Sequence, residues 1–578
     1  MRKYLDAINT YLNENFDAFL IGTLNEFYLY SGDNRLAAIT NFKGSNGLAI
    51  IGSDPVFFTD GRYTLEAKKV LSPEFTVIDF SNYNILNVIK KYHKIAFIPQ
   101  LIKFSQYELY NSVSQNLFPI ELSQFDQSLN NFQLRYNQKY NSTYCNFYSG
   151  ICKTEKIESL LDCYKEKEWD KILICDSSCV SWLLNIRNSE IESENFDCIY
   201  PSFLLIDKNG NYDFIKNDND LEYILQNNKS NIVIYDYNEI SFSLKRLLDK
   251  YCNKPSNDKR LLDKQIIDKT YSNPIHKMKA RKNNYELNGF INCHVRDAVA
   301  FIKFYKWLIE NFEKNQITEI ECQEKLLYFR REQQDFIAPS FETIAAVNEN
   351  AAIIHYRPNK ATDKILTKNS IFLIDSGGHY IDGTTDVTRT IFLNVDSEII
   401  ANSEVKSRYT EVLRGHIALA SVKFPFGTKA SAIDCLARQF LWQKNLDYKH
   451  ATGHGVGFCL SVHEYPSISQ ASQDILEENF IVSIEPGFYN HNILEKDSYG
   501  IRIENLYYIA KDKDMLCFKP LTLIPIDLSL VDFVILSENE KNFIYNYHYY
   551  VFKKLSQYIN QEERNFLQNI IKINQITT

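Results

Sequence analysis

No run in this chain approaches the roughly 18 to 20 consecutive apolar residues that a membrane span requires, so a transmembrane protein is not expected. The first residues, Met1-Arg2-Lys3-Tyr4-Leu5-Asp6, lead into a charged amphipathic pattern rather than an apolar segment with a cleavage site, and the expectation is a soluble, intracellular protein. A basic excess is also missing. With 64 Lys and Arg against 72 Asp and Glu, the formal net charge is -8 and the pI about 5.9, which argues against a phosphate-tracking surface and against nucleic acid as a partner. The 12 cysteines contain no C-x-x-C pair, as expected of reduced thiols rather than a disulfide framework. Six lie between Cys145 and Cys198; with no histidine nearby and only Cys175 and Cys179 near ligand spacing, they read as buried apolar side chains rather than a zinc site.

What is present is a globular composition, 45% hydrophobic and 24% charged, over 578 residues, a length that predicts roughly three to five domains. Two stretches of the first half resemble each other. Helix patterns over 2–14 and 155–168 are each followed by an apolar strand, at 17–21 and 170–174, and later by a strand and turn, at 48–54 and 203–210. This self-similarity, at an offset of about 150 residues, predicts two mixed α/β domains of one kind. Their boundary is expected near 141–151, and 254–284, dense in Lys, Asp and Asn, reads as an exposed connector. A helix follows, with Ile291, Val295, Ala298, Ile302, Tyr305 and Ile309 as its apolar stripe. Further helices are expected over 405–420 and 433–441, and the apolar, aromatic part from Met515 is assigned to packing or subunit contact.

Chemistry concentrates at 371–390, IFLIDSGGHYIDGTTDVTRT. An apolar strand ends on Asp375, Ser376-Gly377-Gly378 forms a turn, and a second strand carries Thr384, Asp386, Thr388 and Thr390 on one face. Asp382, before a glycine, reads as a turn residue. Neither Lys nor Arg lies between Asp375 and Asp386, so buried carboxylates there call for a cation. Downstream, His454 lies in GHGVG, His463 and Glu464 in VHE, Glu485 ends an apolar strand before Pro486-Gly487, and Arg502 and Glu504 alternate with two isoleucines in IRIE. Four carboxylates and an imidazole could close on one centre. Their repulsion would be reversed by two divalent ions, and an oxygen-rich set suits a hard ion such as manganese. Two metals about 3.5 to 4 Å apart can hold a bridging hydroxide and polarise a carbonyl.

In their order, IDSG, TDVTRT, GHGVG, VHE, IEPG and IRIEN resemble the pita-bread metallopeptidases, and within them the aminopeptidase P or Xaa-Pro aminopeptidase family in its long three-domain form. DGRY at 60–63 and WLLN at 182–185 are the best local matches before the catalytic part. The resemblance implies creatinase-like α/β domains at 1–145 and 146–275, a pita-bread catalytic domain at 276–578, and a cytoplasmic homodimer acting on proline-containing peptides. It implies metal ligation by Asp375, by His454 with Glu485, and by the bridging Asp386 and Glu504. It also implies catalytic roles for His355, His463 and Glu485, and substrate contacts by His355, His450, His463 and, through the ordering of the ligands, Arg502. His276, His294, His379, His416, His491 and His548 are left structural. Three alternatives stand beside this reading: a prolidase cutting dipeptides, a methionine aminopeptidase, whose site would leave the long N-terminal part unexplained, and a non-enzymatic pita-bread binding protein, which would have lost its ligands.

Overall fold

The structure, a computed structural model, describes residues 16–29, 34–81, 84–114, 116–128, 142–144, 149–188, 198–227, 232–252, 272–394, 402–490 and 498–571. The expected helix over 2–14, His491, much of the expected boundary near 141–151 and the greater part of the connector lie outside them. The chain divides into two compact units, one of Met1–Asn146, Ile151–Asn195 and Ile199–His276, the other of Phe147–Gly150, Phe196–Cys198 and Lys277–Thr578.

The first unit contains two principal sheets built alike. In one, Val56–Thr59, Gly47–Gly52, Ala18–Gly22 and Ile95–Phe97 are neighbours in that order, flanked by Thr76–Asp79 and Leu117–Pro119. In the other the order is Tyr212–Ile215, Phe203–Asp207, Lys171–Ile174 and Val233–Tyr235. In both, the first two pairings are antiparallel and the third parallel. The internal similarity read from sequence is therefore a similarity of topology. The helix expected over 155–168 runs Lys153–Asp162, started by Glu155 reaching back to the N–H of Cys152.

In the second unit the helix Asn284–Asn311 begins at Asn283, whose side chain accepts from Tyr285 and Glu286 while Glu286 reaches back to the Asn283 N–H. Its deepest face differs from the apolar stripe. Ala298, Ile302 and Tyr305 are buried as expected, but Ile291, Val295 and Ile309 are only half-buried, and the core instead receives Phe290, His294, Asp297, Phe301, Phe304 and Leu308. Polar residues enter this face because they are matched: Asp297 accepts from Arg330 at 2.8 and 3.1 Å and from the Tyr380 hydroxyl at 3.0 Å. The exposed-connector reading also fails over its described end. Ile275–Ala280 is helical, and Lys279, buried, pairs with the equally buried Glu464 at 2.9 Å.

Helices Ser403–Ala420 and Ser431–Trp442 fall where their patterns placed them. A six-stranded sheet joins Ile481–Ile484 to Asn505–Asp512 and Met515–Pro520, and the C-terminal helices Glu538–Leu555 and Gln561–Ile571 pack Ile544, Tyr547, Val551, Leu567 and Ile571 into the main core.

Candidate metal centre

Strand ends carry the acidic residues. Ser370–Ser376 pairs antiparallel with Val387–Leu393, in a register that sets Asp375 opposite Thr388 and Leu373 opposite Thr390. The chain does not pass from one strand to the other by a single turn at 376–378, as the two glycines suggested. A small hairpin, Gly378–Tyr380 against Gly383–Thr384, is inserted, and Asp386 immediately precedes the second strand. From the other side, Ile481–Ile484 pairs with Asn505–Asp512 with Ile484 opposite Asn505, so Glu485 and Glu504 continue side by side past the last rung. Glu504 occupies a break between Gly500–Arg502 and Asn505–Asp512, yet the alternation survives it: Ile501 and Ile503 are buried in the core while Arg502 and Glu504 meet a common partner, Thr388.

His454 lies in the short strand Gly453–Gly455, held between Glu464–Ile468 and Ile481–Ile484. A Cβ on Gly453 would stand 2.0 Å from the Ser483 carbonyl oxygen and one on Gly455 2.0 Å from that of Tyr465, so only glycine lets these backbones close around the histidine. The His454 Nδ1–H donates to the Gly455 carbonyl at 3.0 Å, which leaves Nε2 with its lone pair facing Glu485 Oε1 at 3.3 Å and Asp386 Oδ2 at 3.6 Å. Ligand atoms of Asp386, His454 and Glu504 all lie within 4.8 Å of one another.

Four carboxylates gather here about one guanidinium. Burial first, and then the charges of Glu504, Asp375 and Glu485, push the Asp386 carboxyl well above the usual range; burial, Glu485 and Asp375 do the same to Glu504. Among the described residues, Asp375 Oδ1, Asp386 Oδ1 and Glu504 Oε1 are buried with no hydrogen-bond donor. Buried acceptors are otherwise almost always satisfied. Three orphaned carboxylate oxygens beside an imidazole lone pair are what a pair of divalent cations would satisfy, and the oxygen-rich donor set fits hard ions.

Arg502 orders this cluster. Its Nη2 pairs with Asp375 Oδ2 at 2.6 Å, Nε donates to Thr388 Oγ1 at 3.0 Å, and Nη1 donates to the Tyr489 hydroxyl at 2.6 Å and to the Ile354 carbonyl, next to His355, at 3.3 Å. Thr388 passes the order on, its hydroxyl donating to Glu504 Oε2 at 2.8 Å. Burial opposes the Arg502 charge, but Tyr489, Asp375 and Glu485 around it raise its pKa well above the ordinary value. Burial pushes the Tyr489 phenol up to about 12, so it keeps the proton it donates to His450 Nε2 at 3.1 Å; His450 Nδ1–H donates in turn to the Ala451 carbonyl at 2.7 Å. His450 Nδ1 also stands 3.9 Å from Glu485 Oε2. His463 is exposed, its ring centroid 4.3 Å from that of His454, and His355 is half-buried.

Sequence reasoning missed Thr388, Tyr489 and a supporting network behind Asp375 in which Arg330 bridges Asp297 and Ser376 Oγ, the latter at 3.1 Å. Only Thr388 carried a signal, its place on the polar face of a strand. Arg389, on the opposite face, is withdrawn from the centre: it is buried and donates to the carbonyls of Thr388, Glu504, Ile524 and Pro525, to Asn505 Oδ1 and to the Tyr547 hydroxyl. Of the histidines left structural, His294, His379, His416 and His548 are buried and bonded to Phe290, Thr384, Ile503 and Ile526 respectively. His276 is different: it meets a thiol and two carboxylates.

Comparison with known proteins places this geometry. Residues 290–511 match metallopeptidase family M24, 514–572 the C-terminal region of that family, and 142–286 the creatinase/prolidase N-terminal domain. Xaa-Pro aminopeptidase 1 of Dictyostelium discoideum is 31% identical, with 99% of this chain and 96% of the relative aligned. An Xaa-Pro aminopeptidase of Caenorhabditis elegans is 32% identical over 92% of this chain and 90% of its own. The crystal structure of X-prolyl aminopeptidase from C. elegans, a cytosolic enzyme with a di-nuclear active site, superposes with a TM-score of 0.85 at 26% identity over 99% of both chains.

Proposed function

The chain belongs to the Xaa-Pro aminopeptidases of metallopeptidase family M24, and from that premise we propose that it removes the first residue from peptides whose second residue is proline, using two divalent metal ions. The observation that carries the proposal is the set of orphaned oxygens of Asp375, Asp386 and Glu504, together with the gathering of Asp386 and Glu504 about His454. In this reading Asp375 would hold one ion, His454 and Glu485 the other, and Asp386 and Glu504 would be shared by both, with manganese as the metal because the donors are mostly carboxylate oxygen. Bound there, the metal pair supplies Lewis-acid polarisation of the scissile carbonyl and a water acidic enough to react near neutral pH.

The remaining work falls to this chain's own side chains. Proline's peptide nitrogen has no N–H, so the substrate cannot be aligned through a hydrogen bond from that atom and must be gripped elsewhere. His450, oriented by Tyr489 and the Ala451 carbonyl, packs its ring in a T-shaped contact with that of Tyr489, and the two line the proline side. His355, whose segment is anchored through the Ile354 carbonyl to Arg502, holds the carbonyl oxygen. Glu485, beside His450 and His454, takes the proton released as water adds. The prolyl nitrogen must gain a proton to leave, and His463, exposed beside the His454 ring, is placed to deliver it.

This reading keeps the three-part division at 1–145, 146–275 and 276–578, supported by the two similarly ordered sheets. It also includes a cytoplasmic homodimer, for which light scattering on the purified chain is the test. No described helix is long and apolar enough to cross a membrane. The test of function is hydrolysis of matched Xaa-Pro and Xaa-Ala tripeptides by metal-reconstituted protein. The Xaa-Pro peptides are expected to be cut and the Xaa-Ala peptides spared; equal rates would remove proline from the proposal.

A further inference from the structure

In the first unit Cys179, His276, Asp176 and Glu239 converge. We propose that they form a second metal site, for a borderline ion such as zinc, with Cys179 Sγ, His276 Nδ1 and the Asp176 carboxylate as ligands and Glu239 holding the imidazole from behind.

Each side chain is fixed by its surroundings. Asp176 follows the strand Lys171–Ile174, and its Oδ1 accepts the Cys179 N–H at 2.9 Å and the Ser178 hydroxyl at 2.5 Å. That leaves Oδ2 toward His276, 3.9 Å from Nε2. Cys179 is fully buried, with Sγ 3.7 Å from Nδ1 and 4.0 Å from Nε2 of the same ring. One ligand atom from each of Asp176, Cys179 and His276 lies within 4.8 Å of the other two. Glu239 completes the group: Oε1 meets His276 Nε2 at 2.5 Å, and Oε2 accepts from Asn273 Nδ2 at 3.2 Å.

These spacings are close to those of a bound ion. A tetrahedral zinc with sulfur at about 2.3 Å and nitrogen or oxygen at about 2.0 to 2.1 Å places sulfur and nitrogen about 3.6 Å apart and nitrogen and oxygen about 3.3 Å apart. The thiol and Nδ1 already have this separation; Asp176 Oδ2 stands on the Nε2 side of the ring, and its side chain turns toward Cys179, within the 4.8 Å that joins the three groups, to reach an ion there. A metal-bound histidine commonly donates its other ring N–H to a carboxylate, the role Glu239 takes on Nε2, and this tautomer leaves the Nδ1 lone pair facing Cys179. The His276 and Asp176 side chains are 31% and 29% exposed, which leaves room for a water as the fourth ligand. On binding, the Cys179 S–H proton is released and the sulfur–metal bond takes its place.

The sulfur separates this site from the centre in the second unit. Thiolate with imidazole favours zinc or cobalt over manganese, whereas the centre built on Asp375, Asp386, His454, Glu485 and Glu504 offers no sulfur. Cys175, which the sequence paired with Cys179, takes no part and packs in the core beneath the second sheet. The sequence could not supply the histidine, because His276 stands 97 residues from Cys179.

Cobalt(II) titration of the full-length protein tests the site, because only a thiolate ligand gives a sulfur-to-cobalt charge-transfer band in the near ultraviolet. The band is read whether or not the chain cleaves peptides, so its failure is distinct from failure of the proposed activity. It is expected to saturate at one cobalt per chain, to be displaced by zinc, to persist when Asp386→Ala and His454→Ala disable the other centre, and to vanish in Cys179→Ser and in His276→Ala. Glu239→Gln is expected to weaken cobalt binding by about tenfold or more. Wild-type protein in excess cobalt without the band overturns the proposal, as does a band that survives either the Cys179 or the His276 substitution; the wild-type arm requires no variant to fold.

Discussion

Arg502 Nη2 and Asp375 Oδ2 meet at 2.6 Å, both buried, so one oxygen of this carboxylate is held in place while Oδ1 has no hydrogen-bond donor. The pair links charge neutralisation to geometry, since the same guanidinium also holds Thr388 and Tyr489. Arg502→Lys keeps the charge but cannot span these partners. We expect metal affinity to fall by about 10- to 100-fold, with turnover restored in part by excess metal. Calorimetric metal titration checks this, and an unchanged affinity would show that Arg502 does not position Asp375.

In the proposed function Asp386 and Glu504 would each touch both ions. Chelation should therefore abolish activity and manganese restore it, while Asp386→Ala and Glu504→Ala should each lose bound metal as well as rate. Elemental analysis of either variant showing two metals and normal turnover would contradict the bridging assignment.

His463 stands beside the His454 ring but in solvent. His463→Ala is expected to retain both metals and lose about 100- to 10,000-fold in kcat, the usual contribution of a positioned acid or base. Loss of metal, or an unaltered kcat, would rule out a proton-transfer role.

A dipeptidase needs a cation for its substrate's carboxylate, whereas an aminopeptidase must leave that direction open. Three arginines next to the motif residues are each engaged: Arg389 with backbone carbonyls, Arg502 with Asp375, and Arg357 with Glu342 at 3.3 Å. Xaa-Pro-Yaa peptides should accordingly be cleaved with kcat/KM at least about tenfold above the matching Xaa-Pro dipeptides, or about 1.4 kcal/mol in transition-state stabilisation. Dipeptides cleaved as well as tripeptides would make the chain a prolidase.

His416 and His548 are buried and neutral, their pKa values pushed down to about 3 by burial and by the charge of Arg389. Between that value and the ordinary 6.5 the unfolded chain binds protons that the folded chain refuses, so stability is full above about pH 6.5 and falls as pH drops below it. Each histidine should cost about 1 to 1.5 kcal/mol per pH unit in that window. Thermal midpoints measured from pH 7.5 to 5 should fall more steeply for the wild type than for a His416→Gln, His548→Gln variant; parallel curves would exclude these two groups as the cause.

Much of the centre could be read in the sequence because its acidic groups terminate apolar strands and each terminus is punctuated by glycine, proline or strict alternation. Asp375, Glu485 and Glu504 sit where those signals placed them. What could not be read depends on partners distant in the chain. Asp297 and His294 looked like the solvent side of a helix, and only Arg330, Tyr380 and the Phe290 carbonyl make their burial tolerable. Lys279 looked like part of a solvated connector until Glu464 supplied its counter-charge. The hairpin after Asp375 was hidden because two glycines satisfy a single turn as readily as the start of a longer excursion.

The six acceptors of Arg389 tie the acidic cluster to a part of the chain that supplies none of its side chains. Three of them, the Ile524 and Pro525 carbonyls and the Tyr547 hydroxyl, come from the last tenth of the chain, while a fourth is the carbonyl of Glu504 itself. Without that segment a buried guanidinium beside the acidic cluster would have half its partners missing. The segment around Ile524 to Tyr547 thus works as a keystone: it fixes the strand that carries Thr388 from behind, through Arg389, and so bears on the geometry of the acidic cluster without entering it.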